Sequence, residues 1–211
     1  EYRMAQRSVR DVATFLAGCM LLAALLAAGR ADGALAGETR VGLDLRFDRR
    51  ADDFALPAAT KGKAKISHRF DTGFVTGASV ELIDSAFRST VKANLEATLG
   101  YAHRINELLS VSLTVGLGER IRASQDGGPF PYYQATVAGS VQVTETLTWH
   151  AVSLRYRNAF DTANDFETPQ ISTGIAYEFR SRNWLTLTLY RERKGDTPSA
   201  TGLSIGYEVG F

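Results

Sequence analysis

From residue 37 onward the chain is organised by a period of two. Val41, Leu43, Leu45 and Phe47 alternate with Arg40, Gly42, Asp44 and Arg46. The same alternation runs through 91–101, 111–117, 133–143, 171–179, 185–190 and 203–211. It is the signature of a strand with two unlike faces. Two weaker segments, 63–70 and 74–83, flank Asp71-Thr72-Gly73, a hairpin signal. Between Leu147 and Asn158 the parity slips, and a bulge near Ala151 restores it. No window in this region shows a convincing 3.6-residue stripe. The count is ten strands, with eight as the alternative.

The links between these segments alternate in length. Short turns fall near 71–73, 104–108, 144–147 and 180–183; longer or more polar links fall near 48–61, 84–88, 122–131, 160–168 and 194–200. An all-β, antiparallel up-and-down transmembrane β-barrel makes this pattern, with short periplasmic turns and longer outer loops. Aromatic positions offer a check on depth. Phe70, Phe74, Tyr101, Trp149, Tyr177, Phe179, Trp184, Tyr207 and Phe211 fall near one rim. Phe47, Phe130, Tyr132, Tyr133, Tyr156, Phe160 and Tyr190 fall near the other. Two girdles around an aliphatic belt are what two water–lipid interfaces select. A soluble sandwich or cup also alternates but has no reason to sort aromatics to strand ends.

Composition excludes several classes. The chain has 211 residues, 45% of them hydrophobic, with 24 Lys+Arg against 23 Asp+Glu, and it has one Cys. A net charge of +1 argues against a dedicated nucleic-acid binder. One Cys excludes a disulfide scaffold or a Cys-based zinc site within the chain. The first 36 residues read as a cleavable signal peptide: Arg7 and Arg10, an uncharged run from Val12 to Gly29, and Ala34-Leu35-Ala36 before Gly37. Residues 1–3 stand upstream of Met4 in this reading, and 37–211 forms the barrel. The run is also long enough for a retained membrane anchor.

Gly202 to Phe211 strictly alternates and ends on Phe. This segment resembles the closing strand of Gram-negative outer-membrane β-barrel proteins. The resemblance implies that Gly206, Tyr207, Val209 and Phe211 form a signal for the barrel-assembly machinery. It also implies an outer-membrane location among lipid and lipopolysaccharide.

If the apolar face meets lipid, the polar face encloses a lumen. The expected lumen-lining residues are Arg40, Asp44, Arg46, Lys92, Glu96, Arg155, Arg157, Glu178 and Glu192, with Lys63, Lys65, Arg69, Glu81 and Glu208 on the same parity. Either opposite charges interlock and plug a narrow barrel, or they line a thin path for small polar solutes, slightly favouring anions. Ten strands lie just above the size that side chains fill, so a wide general porin is not expected. Lys61 and Lys63, with Arg49 and Arg50, would suit lipopolysaccharide phosphates at the outer rim, but a solvated outer loop is the simpler reading.

Chemistry leaves few traces. His68, His103 and His150 have no neighbouring Ser and carboxylate in a triad-like spacing. Arg155 to Phe160 resembles a strand of the lipid A 3-O-deacylases, but the His and Ser used there are missing. Asp161, Asp165, Glu167, Asp52 and Asp53 read as solvated loop charges. The expectation is a non-enzymatic, porin-like barrel without metal or cofactor that passes small polar solutes. The alternatives are a plugged structural or interaction barrel, and a lipid A-modifying enzyme.

Overall fold

A computed structural model describes residues 37–86 and 91–211. The signal-peptide reading of residues 1–36, and part of the 84–88 link, lie outside them. The described residues form ten strands: β1 (Gly37–Arg50), β2 (Pro57–Phe70), β3 (Phe74–Ser85), β4 (Lys92–Arg104), β5 (Leu109–Ile121), β6 (Phe130–Gln142), β7 (Leu147–Ala159), β8 (Gln170–Arg180), β9 (Asn183–Lys194) and β10 (Thr197–Gly210). Each pairs antiparallel with its sequence neighbours, and β1 pairs with β10, so the sheet closes. Closure leaves no open edge, which a wall in hydrocarbon requires.

Faces follow the alternation. Along β5, Leu113, Val115 and Leu117 are 54%, 50% and 63% exposed, while Gly116 between them is buried. Leu187 on β9 is likewise exposed. Apart from Ile83, Ala159, Ala176 and Ala200, the buried side chains are instead polar or aromatic, among them Arg46, Asp48, Lys61, Glu81, Asn94, Arg157 and Glu192. The apolar side is thus the outside of the cylinder, an arrangement that suits lipid.

The bulge sits where the parity slips. Gly139 pairs with Val152 and Ser140 with His150, leaving Ala151 without an opposite number. Trp149, Val152, Leu154 and Tyr156 consequently share the outer face, each exposed.

Two outer links are shorter than expected. The 48–61 link shrinks to residues 51–56, because β1 and β2 continue past Asp48 and Lys61. Those two charges read as loop residues, yet they neutralise each other inside, Lys61 Nζ lying 2.8 Å from Asp48 Oδ2. The 194–200 link is a two-residue turn, Gly195-Asp196, in which Gly195 takes a φ of +53°. Pro198 is tolerated in β10 because the β9–β10 register shifts between Pro198 and Ala200.

Val115→Arg places a charge at mid-depth on the lipid face. It is expected to destabilise the folded barrel by about 2–4 kcal/mol, read as a shift of the urea midpoint in lipid vesicles followed by heat-modifiable gel mobility. Thr114→Arg, on the inward face, is expected to shift that midpoint less.

Candidate functional site

Bonds between strands that are not neighbours have to cross the interior, and they define a charged layer. Arg46 on β1 reaches Glu81 on β3 at 3.4 Å and donates to Gln170 Oε1 on β8 at 3.0 Å. Arg157 on β7 lies 3.8 Å from the other oxygen of Glu81, nearly across the barrel. Asn94 on β4 donates to the same carboxylate at 2.7 Å and accepts from Arg120 on β5 at 2.9 Å. Arg155 pairs with Glu192 at 3.1 Å, and Lys63 lies 3.9 Å from Glu96. Glu81 is the hub, because one carboxylate serves two guanidinium groups and an amide. Charges this far from water persist only when so compensated.

Aromatic rings complete the layer. Tyr132 is fully buried and donates to Glu96 Oε2 at 3.3 Å; Tyr190 donates to Asp48. Each tyrosine stands directly opposite a glycine, Tyr132 against Gly118 and Tyr190 against Gly202. A Cβ at either glycine would overlap the ring, so the absent side chain lets the tyrosine lie across its neighbour strand. Arg46 stacks over Tyr190, with Cζ 4.0 Å from the ring centroid. From the 160–169 loop, Phe166 dips into the outer mouth against Phe130 and Tyr132, at 5.1 and 5.2 Å between centroids. Arg157 and Arg120 cover that ring at 4.7 and 5.5 Å. Arg122 ties two outer loops together, donating to Gly128 O and Asn164 Oδ1.

Below the layer, toward the short turns, Lys65 bridges Asp44 and Glu208 at 3.0 and 2.6 Å. There the lumen widens into a vestibule of about 1000 Å³ that includes Arg40, Arg69, His150, Glu178 and Trp184. Arg40 lies over the Trp184 ring at 4.0 Å.

Of the nine residues expected to line the lumen, Arg46, Glu96, Arg155, Arg157 and Glu192 come together in the layer. Asp44 belongs to the Lys65 cluster, and Arg40 and Glu178 to the vestibule, where Glu178 accepts from the Arg182 backbone N–H at 2.7 Å. Lys92 is half-buried beside Ile83, near the outer end of β4. At the seam, Tyr207 and Val209 pair with Leu43 and Val41, and the Phe211 N–H donates to Thr39 O; Gly206 lies buried against Asp44.

Other expectations are corrected. Phe130, Tyr132, Tyr190 and Trp184 are not girdle residues: the first three are buried inside and Trp184 faces the vestibule. Position near a strand end gives depth but not face, and opposing glycines and stacking arginines draw these rings inward. Lys61 is a buried strand residue rather than an outer-loop cation. Sequence reasoning also passed over Asp48, Asn94 and Arg120. Their parity pointed inward; a strand boundary drawn too early hid Asp48.

The histidines lie apart. His68 Nδ1 meets Thr39 Oγ1 at 2.9 Å, His103 stacks on Tyr101, and His150 meets Ser140 Oγ at 2.9 Å in a direct cross-strand pair. Among the described residues no three His, Cys, Asp or Glu gather in a metal-binding group.

No family model and no curated protein matches the chain. Solved structures do. The β domain of the Bordetella autotransporter BrkA is similar with a TM-score of 0.55 at 8% identity, covering 83% of this chain and 100% of that one. An outer membrane channel from Pseudomonas putida F1 gives 0.50 at 14% identity, covering 87% and 98%. The KdgM porin in complex with oligogalacturonate gives 0.48 at 19%, covering 81% and 99%. The fold is that of an outer-membrane β-barrel.

Gly202→Val removes the seat of Tyr190 beside Asp48. A cost of about 1–3 kcal/mol is expected, seen as a lower midpoint of thermal band-shift, while Gly62→Val, on the outer face with open space around its Cα, is expected to leave it in place.

Proposed function

We propose that this protein is an outer-membrane channel for small polar solutes, closed at rest by the charged layer and favouring anions. The carrying observation is the composition of the constriction. It is built from hydrated-type groups, Arg46, Glu81, Asn94, Arg157 and Glu192, joined by hydrogen bonds and ion pairs that water or a solute can replace. An apolar plug would lack such exchange. Below it, the vestibule supplies an antechamber lined in part by Glu208, the partner of Lys65. In the layer Arg46, Lys61, Lys63, Arg120, Arg155 and Arg157 outnumber Asp48, Glu81, Glu96 and Glu192, which sets the sign of selectivity. No side chain is asked to form or break a covalent bond.

A second reading, a permanently plugged structural barrel, is favoured by one observation: Tyr132 has no exposed surface at all. Planar-bilayer recording separates the two. The channel reading expects discrete small steps from the native protein, a reversal potential on the chloride side, and larger steps from Tyr132→Ala. A silent native protein beside a conducting Tyr132→Ala would establish the plug instead.

A further inference from the structure

The lipid-facing wall carries a feature that conduction does not use. β8 begins only at Gln170, whereas β7 runs on to Ala159 and β9 to Lys194. The chain ahead of β8 turns inward with Phe166. It keeps only sparse backbone bonds to its neighbours, Thr168 N–H to Arg157 O and Arg193 N–H to Pro169 O at 2.8 Å and Gly195 N–H to Glu167 O at 3.1 Å. The outer part of the wall is therefore recessed, leaving a groove of about 660 Å³.

Its floor is apolar. Val137, Leu154 and Ile171 form one cross-strand row, and Arg191 continues that row on β9. Arg193 stands one outward position further along, and Tyr156 lines the same recess at the depth of the outer aromatic girdle. Both arginines are exposed. Lys194, on the other face, is taken by Asp165 at 2.5 Å, and Arg193 donates to the Asp196 backbone carbonyl. Neither Arg191 nor Arg193 is ion-paired with a carboxylate among the described residues. Glu167, at the rim near Gly195, is ion-paired with neither; its carboxylate lies against the Tyr156 hydroxyl. Two guanidinium groups without a carboxylate partner, at the depth of the outer girdle, are placed to meet an anionic headgroup.

We propose that this groove seats a phosphorylated, acylated glycolipid of the outer leaflet. One acyl chain lies over Val137, Leu154 and Ile171, and a phosphate is gripped by Arg191 and Arg193, whose planar forks suit phosphate oxygens. Tyr156 marks the headgroup level. The inference rests on the outer-membrane placement and is independent of conduction, so a silent bilayer recording leaves it untouched.

Titration of the detergent-folded, delipidated protein with diphosphoryl lipid A, its dephosphorylated counterpart and phosphatidylglycerol, read by native mass spectrometry, tests it. The native protein is expected to bind diphosphoryl lipid A in preference to both others. The Arg191→Gln/Arg193→Gln double variant is expected to bind it roughly thirtyfold more weakly, from the usual worth of two basic residues at an anionic surface. Arg104→Gln, a control at the short-turn end of β4 on the opposite side of the barrel from β9, is expected to bind as the native protein does. Heat-modifiable mobility verifies that each variant is folded. Undiminished binding by the folded double variant, or phosphatidylglycerol bound as tightly, overturns the proposal.

Discussion

Hydrocarbon offers no partner to a backbone N–H or C=O, and that deficit governs this molecule. Every strand needs a neighbour on both sides, so the sheet closes through β1 and β10, in register from Arg40 against Gly210 to Arg50 against Ala200. Once the cylinder is closed and its exterior is given to lipid, polar side chains have only the interior. The usual economy of a globular protein is inverted. The centre is assembled from guanidinium, carboxylate and phenol groups, and its order comes from directed bonds.

That inversion explains the role of the inward glycines. A ten-stranded cylinder is narrow, and side chains from opposite walls compete for its axis. At Gly118 and Gly202 the wall gives up its own side chain, and Tyr132 and Tyr190 lie across the vacated strand to reach Glu96 and Asp48. The rings then carry Arg157 and Arg46 on their faces. The constriction is thus a consequence of pairing the smallest residue with one of the largest across a ladder.

Much of this was legible in the alternation. Strand number, faces and the bulge at Ala151 follow from parity, because a strand in a two-solvent wall has to keep strict order. Arg46, Arg155, Arg157 and Glu192 were identifiable for the same reason. Their partners were not. The bond from Arg46 to Gln170 joins residues 124 apart in sequence, and the strand stagger that brings them level is a property of closure rather than of any local window. Phe166 lies in a loop, where no period exists to reveal direction. Asp48 and Lys61 misled because each charge, taken singly, looks like loop chemistry; only their mutual neutralisation lets the strands continue.

The seam has a kinetic side. Every other ladder joins strands adjacent in sequence, so hairpin after hairpin can zip with modest loop-closure entropy. The β1–β10 ladder instead joins the two ends of the barrel and has to wait until both exist. Until then an unfinished cylinder presents two raw margins, and whatever shelters them during biogenesis determines whether the chain completes itself or fuses with a stranger.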